Sequence, residues 1–260
     1  MYCIGLVVSP SQLDSFFATL RSLMKTNKEK RVYTTKPKLT LQTTTLWDYP
    51  SQHYGDRMQG DQTYVGATPS YIIWNLLSRY TRENDIVLDP MCGSGTTLDV
   101  SKDLNRQGIG FDIAPFRSDI QKADARKLPL KSNSVDFIFC DPPYSTHVKY
   151  SGDPQCIGEL DSRTSLYFDA MDKVITEMFR VLKSRRTMAL YVSDSFQKGK
   201  PFSPIGFELF QRLSRKFKPV DIVCVVRHNK NLKLTNWHKA AVDGNYFLRG
   251  FNYLFIMRKD

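Results

Sequence analysis

One segment constrains the fold of this chain more than any other, because it places a glycine-rich turn directly after a short apolar strand. The run Ile86-Val-Leu88 is followed by Asp89-Pro-Met-Cys-Gly-Ser-Gly-Thr96, and a helix is expected over 96–105. Glycines let the backbone come close to a ligand, and the start of a helix offers unpaired N–H groups. A strand, a glycine turn and a helix in this order predict a ligand-binding unit of an α/β protein.

The remainder of the chain continues this alternation. Further strands are predicted at 108–112, 134–140, 187–192, 220–226 and 253–257, and further helices at 68–80, 166–182 and 206–217. Thr68 is expected to be the N-cap of the first of these helices, with Pro69 at its first position. Strands alternating with helices predict a mostly parallel sheet with helices on both faces, the Rossmann-like form of the α/β class. The last two strands lack an intervening helix, which predicts an antiparallel strand at one edge.

Residues 1–63 are less regular, and we expect them to form an N-terminal extension to a domain spanning 64–260. A short amphipathic helix is predicted over 13–24, where apolar residues repeat at helical spacing. The stretch 47–66 contains Pro50, Gly55 and Gly60 with five aromatic or histidine residues, which favours irregular backbone and a segment that binds substrate.

Composition narrows the class of protein. With 41% hydrophobic residues among 260, the chain is globular, and its formal charge of +11 favours a polyanionic partner such as nucleic acid. No apolar run approaches the ~20 residues of a membrane helix, and the N-terminal run is too short for a signal core. The five cysteines are scattered without a CxxC pair, and the four histidines lack ligand spacing. We therefore expect a cytoplasmic protein with neither a disulfide framework nor a metal site.

A carboxylate on the next strand strengthens the prediction that the glycine turn binds a ligand. Asp112 comes 23 residues after Asp89, at the end of the following predicted strand, where an acid can hold the hydroxyl groups of a ribose. The full GxGxxG pattern and the phosphate-binding GxxxxGK pattern are both absent. A tight turn with a purely structural role is the alternative.

A second site is predicted at the end of the strand 134–140, where the sequence is Asp141-Pro-Pro-Tyr144. The two prolines stiffen the backbone and leave its carbonyl groups free to accept hydrogen bonds. A carboxylate and a carbonyl beside a flat ring suit a planar base that carries an exocyclic amino group. The alternative is a proline-rich strand exit with a capping aspartate. Cys140 precedes this motif within the strand and is expected to be a core residue, and Cys92 a packing residue.

Taken together, Asp89-Pro-Met-Cys-Gly-Ser-Gly-Thr96 and Asp141-Pro-Pro-Tyr144 resemble the two main motifs of the S-adenosylmethionine-dependent amino-methyltransferases, which act on cytosine N4 or adenine N6. The resemblance covers about residues 64–195. It implies that S-adenosylmethionine is the cofactor and that Asp141, Pro142, Pro143 and Tyr144 form the catalytic motif. The upstream helix at 68–80 and the loop 124–129 resemble further cofactor-binding segments of this family. The implied cofactor-binding residues are Thr68, Pro69, Asp89, Pro90, Met91, Gly93, Gly95, Thr96, Asp112, Ile113, Asp124 and Ala125.

Substrate contacts are expected from two segments. The loop after the second motif carries His147, Lys149 and Tyr150, and the basic segment 227–239 interleaves cations with an aromatic ring. Such interleaving suits phosphate contacts and base stacking, although a solvated face is the alternative for both segments. The candidates in the basic segment are Arg227, Lys230, Lys233, Trp237 and Lys239.

Several readings of the substrate stay open at this stage. The same motifs resemble those of RNA guanine-N2 methyltransferases, so RNA is the close alternative to DNA. The order of the motifs also differs from that of many bacterial restriction-type enzymes, in which the DPPY motif comes first. A catalytically silent nucleic-acid-binding module and a methyltransferase for small molecules or proteins are further alternatives. A monomer and a homodimer are equally compatible with the sequence.

Overall fold

The computed structural model describes residues 39–49, 51–144, 151–197, 199–228 and 230–260, except for the side chains of residues 230 and 231. Within these ranges it has eight strands and five α-helices. The strands are β1 (Leu46–Trp47), β2 (Ile86–Asp89), β3 (Gln107–Asp112), β4 (Gln121–Lys122), β5 (Val135–Cys140), β6 (Leu182–Val192), β7 (Lys218–Val226) and β8 (Phe251–Arg258). The helices are α1 (Ser70–Tyr80), α2 (Thr96–Asp103), α3 (Ser165–Val181), α4 (Ile205–Ser214) and α5 (Thr235–Asp243).

The eight strands form one sheet in the order β1-β7-β8-β6-β5-β2-β3-β4. Strand β8 runs antiparallel to both of its neighbours, β6 and β7, and the other neighbouring strands pair parallel. The Rossmann-like fold class is therefore confirmed. The antiparallel strand lies inside the sheet and not at its edge, because strand β7 and then the two-residue strand β1 lie beyond it. A strand as short as β1 carries too little pattern to be predicted from sequence.

Both faces of the sheet are covered, as the unbroken apolar runs of the central strands predict. Along β5, Ile138 faces the helices α3 and α4, whereas Phe137 and Phe139 face α1. Helix α3 contributes a buried stripe with near-zero exposure at Met171, Val174 and Met178. The sheet is thus held from two sides, and the carboxyl ends of its parallel strands share one edge.

The structure differs from the prediction in two helical features. Helix α1 begins at Ser70 with Pro69 in the N-cap position, so the predicted capping role of Thr68 is wrong. Helix α5 was not predicted, because Ala241 is its one buried residue and no apolar stripe marks it. The predicted helix 13–24 lies outside the described residues. The domain boundary at 63 stays a prediction, although the buried side chain of Trp47 belongs to the core beside α1.

No helix in the described ranges is both long enough and apolar enough to cross a bilayer.

Candidate active site

A cleft of about 1550 Å³ opens at the carboxyl ends of β2, β3, β5 and β6. The glycine-rich loop 90–94 forms part of its wall, and the motif 141–144 forms another part. These two segments are far apart in sequence, but β2 and β5 are parallel neighbours, so the loops that follow them open on the same side. The sheet therefore brings the two predicted sites into one cavity, as open α/β sheets do with their ligand sites.

The glycine-rich loop adopts a backbone that requires glycine at two positions. Gly93 has a φ of +47° and Gly95 a φ of +80°. A Cβ atom on Gly93 would lie 2.9 Å from the ring of Tyr64. The N–H group of Gly93 donates to Asp112 Oδ2 at 2.9 Å, which ties the loop to the end of β3. A side chain at position 93 would thus collide with a ring that lines the cleft.

Asp89 supports this loop from behind the cleft and does not line it. Its Oδ1 accepts a hydrogen bond from the N–H of Met91 at 3.1 Å, and its Oδ2 accepts one from the Thr97 hydroxyl at 2.5 Å. Burial raises the pKa of Asp89 to about 7, although both hydrogen bonds favour the ionised form. Of the predicted cofactor-binding residues, Gly95 and Thr96 also lie outside the cleft lining. The residues of this predicted set that line the cleft are Thr68, Pro69, Pro90, Met91, Gly93, Asp112, Ile113, Asp124 and Ala125.

The two acids of the predicted cofactor site differ in their surroundings. Asp112 is half-buried, and its Oδ1 accepts from the N–H of Ala114 at 3.0 Å. Both oxygens of Asp124 accept hydrogen bonds from Arg126, which also donates to the carbonyl of Gln155 at 2.8 Å. Burial alone would raise the pKa of Asp124, but Arg126 outweighs it and leaves the pKa below its ordinary value. Asp124 therefore remains ionised at the edge of the cleft.

All four residues of the motif 141–144 line the cleft. The hydroxyl of Thr68 donates to Asp141 Oδ2 at 2.5 Å, so the carboxylate is held from the start of α1. Burial and the charge of Asp89 raise the pKa of Asp141 to about 7, while Thr68 and Arg227 oppose the rise. A carboxylate that titrates near neutrality in a cleft is a common property of functional sites.

The wall opposite the glycine-rich loop includes polar groups that the sequence analysis missed. Asp194 follows the carboxyl end of β6, accepts from the N–H of Gly206 at 2.9 Å and accepts from the Tyr253 hydroxyl at 3.2 Å. Its position after a strand was a usable signal, since that is where such sheets place their ligands. Tyr49 and Tyr191 also line the cleft, and burial raises the pKa of Tyr49 to about 12.

The predicted substrate-binding residues divide into three groups. Arg227 and Trp237 line the cleft. Lys233 is exposed and Lys239 pairs with Asp243 at 2.5 Å, and neither lines the cleft. The loop residues His147, Lys149 and Tyr150 lie outside the described residues, as does the side chain of Lys230.

Cys140 and Cys92 are both buried, although Cys92 also lines the cleft. Cys140 is fully buried in β5, and Cys92 packs with Leu98 and Ile120. Burial raises the pKa of both thiols well above the ordinary value, which keeps them protonated and poorly nucleophilic.

The sheet order, the covered faces and the cleft at the carboxyl ends of the strands define a Rossmann-like α/β fold. The crystal structure of TrmN from Thermus thermophilus is similar to it, with a TM-score of 0.50 and 19% identity. That similarity covers 75% of this chain and 50% of the other chain.

The sequence comparisons add a partial similarity to DNA methylases. A family model for N6/N4 methyltransferases, described as DNA methylase, matches residues 13–123. The Type II methyltransferase M.MjaII of Methanocaldococcus jannaschii is 30% identical over 115 residues, which are 42% of this chain and 21% of that protein. The Type II methyltransferase M.HpaI of Haemophilus parainfluenzae is 36% identical over 93 residues, which are 36% of this chain and 28% of that protein. Over these stretches the chain is similar to DNA methylases, and it spans well under half the length of the relatives named here.

Proposed function

We propose that this protein transfers a methyl group from S-adenosylmethionine to the exocyclic amino nitrogen of a base in DNA, either N4 of cytosine or N6 of adenine. The observation that carries the proposal is the shared cleft, into which both the glycine-rich loop and Asp141-Pro-Pro-Tyr144 open. The match of residues 13–123 to a family model described as DNA methylase supports the choice of DNA.

The cleft residues fit the proposed cofactor. Gly93 lines the cleft without a Cβ atom, so a ligand can approach its backbone closely, and the half-buried carboxylate of Asp112 can accept bonds from ribose hydroxyls. Met91, Gly93 and Asp112 would hold the methionine and ribose parts, and Asp124 would lie beside the adenine. When bound, the cofactor supplies a methyl group activated by its sulfonium charge.

The motif 141–144 prepares the amino group for transfer. The lone pair of a base amino group is delocalised into the ring, which makes the nitrogen a poor nucleophile. Hydrogen bonds accepted by the Asp141 carboxylate and the Pro142 carbonyl would orient both N–H bonds and turn the lone pair towards the glycine-rich loop. The negative charge of Asp141 would also offset the positive charge that develops on nitrogen. The ring of Tyr144 would stack on the base.

The charge of the chain supports nucleic acid as the partner. A formal charge of +11 attracts a phosphate backbone, and a base in a duplex must leave the stack to enter a cleft of this depth. A monomer and a homodimer both suit this partner.

A methyl-transfer assay with labelled S-adenosylmethionine tests the proposal. DNA and total RNA are offered in parallel, and the labelled nucleosides are identified by mass after digestion. Label in N4-methylcytosine or N6-methyladenine from DNA is the expected result. Label in RNA alone would overturn the DNA assignment and retain the chemistry. No label in either, with cofactor binding confirmed by calorimetry, would overturn the proposal in favour of a silent nucleic-acid-binding module.

A further inference from the structure

The far wall of the cleft carries aromatic side chains and an arginine that the proposed chemistry does not use. The rings of Phe196 and Tyr246 stack with centroids 4.9 Å apart and planes 20° apart. Trp237 lines the same cleft with 41% of its surface exposed, and Arg249 lines it as well. These residues come from the segment after β6, from α5 and from the segment before β8. Three separate parts of the chain thus converge on one wall, which we name the aromatic wall (Phe196, Trp237, Tyr246 and Arg249).

The size of the cleft leaves room for a ligand at this wall. Sites for drug-sized molecules usually occupy about 300–1000 Å³. The cleft here, at about 1550 Å³, is larger than one such site. A cofactor at the glycine-rich loop and a base at the motif 141–144 would use the near side, so the aromatic wall faces space that a further part of the substrate can enter.

The chemistry of the wall suits unpaired nucleotides. Phe196 and Tyr246 are only half-buried, and a large ring that faces a cleft offers a flat surface on which a base can stack. The guanidinium group of Arg249 lies 5.4 Å from the centroid of the Phe202 ring and donates to the carbonyl of Phe247 at 2.9 Å. Its buried Nε has no hydrogen-bond partner among the described residues. A planar guanidinium group that is fixed in position by such contacts can stack on a base or contact a phosphate.

We propose that the aromatic wall binds the unpaired nucleotides next to the target base, so that the enzyme takes its substrate as a single strand or as a locally melted segment. The inference rests on the proposed function and adds the form of the substrate to it. Stacking contacts tolerate different bases, so the wall would hold the strand without reading its sequence. The overall charge of +11 would supply the attraction to the phosphates.

The test is a binding assay that needs no methyl transfer. A fluorescein-labelled 12-nucleotide DNA single strand and the corresponding duplex are titrated with the full chain, and fluorescence anisotropy is recorded at one fixed salt concentration. We expect the single strand to bind more tightly than the duplex. Because one stacked base is worth about 1–3 kcal/mol, Tyr246→Ala and Trp237→Ala should each weaken single-strand binding about 5-fold or more.

Phe247→Ala is the matched control, since Phe247 is the neighbouring aromatic residue, is 83% exposed and does not line the cleft. It should leave the affinity unchanged. Calorimetric binding of S-adenosylhomocysteine to each variant verifies that the cofactor side of the cleft is intact. Tighter binding of the duplex, or equal losses in the Phe247 and Tyr246 variants, would overturn the proposal.

The outcomes also separate this inference from the proposed function. If the protein binds the single strand through the aromatic wall but labels neither nucleic acid, the proposed methyl transfer is wrong and the proposed role of the aromatic wall is supported. If it methylates DNA and the two variants of the aromatic wall bind and react as the wild type does, the proposed role of the wall is wrong and the proposed methyl transfer is supported.

Discussion

The hydroxyl of Thr68 donates a hydrogen bond of 2.5 Å to Oδ2 of Asp141, and this contact joins the start of α1 to the motif at the end of β5. The two residues are 73 positions apart in sequence. A hydrogen bond to a carboxylate favours its ionised form, so Thr68 works against the burial that raises the pKa of Asp141 to about 7. Thr68 therefore acts on the proposed chemistry through the orientation and the charge of Asp141.

Replacing this hydroxyl should move the pH profile of the reaction. In Thr68→Val the stabilising bond is absent, the pKa of Asp141 rises, and the acid limb of the kcat profile moves to higher pH. A hydrogen bond to a charged group contributes about 1.5–3 kcal/mol, which corresponds to a displacement of about one pH unit or more. Thr68→Ser keeps the hydroxyl and should keep the wild-type limb. Steady-state kinetics between pH 5 and 9 (a range of about two units on either side of neutrality) measure this, and a uniform loss of kcat with an unmoved limb would contradict it.

Removing the charge of Asp141 should greatly reduce turnover without changing the affinity for the cofactor. Asp141→Asn keeps the size of the side chain but loses the negative charge that offsets the charge developing on nitrogen, so methyl transfer should fall at least about 100-fold. Affinity for S-adenosylhomocysteine, measured by calorimetry, should remain unchanged. Glu83→Gln removes an exposed carboxylate as a control and should leave the rate as it is. A rate for Asp141→Asn within a few-fold of wild type would exclude the proposed role.

The same substitution should change stability in a pH-dependent direction. The folded pKa of Asp141 is about 7, above the ordinary value of 3.8, so the folded state binds the proton more tightly than the unfolded state. The stabilisation that comes from this tighter proton binding is fully present below pH ~4 and is lost as the pH rises through about 7. Asp141→Asn is neutral at every pH and should melt at a higher temperature than wild type at pH 8, and the difference should be clearly smaller at pH 5. Thermal melts at both pH values measure the difference.

Asp89→Asn provides the contrast for that experiment. Burial raises the pKa of Asp89 to about 7 as well, but its two oxygens accept separate hydrogen bonds from the Met91 N–H and the Thr97 hydroxyl. An asparagine offers one acceptor oxygen, so one of these donors loses its partner. The gain in melting temperature at pH 8 should therefore be smaller than for Asp141→Asn, or reversed. An equal gain would mean that charge alone sets the stability at position 89.

The requirement for glycine at position 93 of the glycine-rich loop can be tested by substitution. In Gly93→Ala the new Cβ meets the Tyr64 ring at 2.9 Å, so the loop must shift, and cofactor affinity should fall about 10-fold or more. Gly55→Ala is the matched control, because Gly55 also has a positive φ of +60° but no atom within 4 Å of its added Cβ. It should lose a little stability and no cofactor affinity. Adding Tyr64→Ala to Gly93→Ala should restore part of the affinity if the collision is the cause.

Much of the sheet could be predicted because its strands are buried on both faces. Residues 135–140 are apolar at nearly every position, and the predicted bounds for β5 differ from the observed ones by one residue. The bounds of α3 also agree closely, since its apolar residues repeat at helical spacing over 17 residues. Helix α5 shows the opposite case, because a helix with a single buried residue leaves no periodic pattern to detect. The position of β8 between β6 and β7 depends on which strands pair with each other. The residue pattern within β8 does not specify those partners.

The fold class and the place of the two motifs at strand ends could be predicted from the sequence, since glycines, paired prolines and acids at strand ends are local signals with local physical causes. The folded structure was needed to find which groups meet: that Thr68 bonds Asp141, that Asp89 is not among the residues lining the cleft, and that Asp194 and the aromatic wall line it. Contacts between residues far apart in the chain follow from the packing of the whole sheet and its helices. No short window of sequence contains that information.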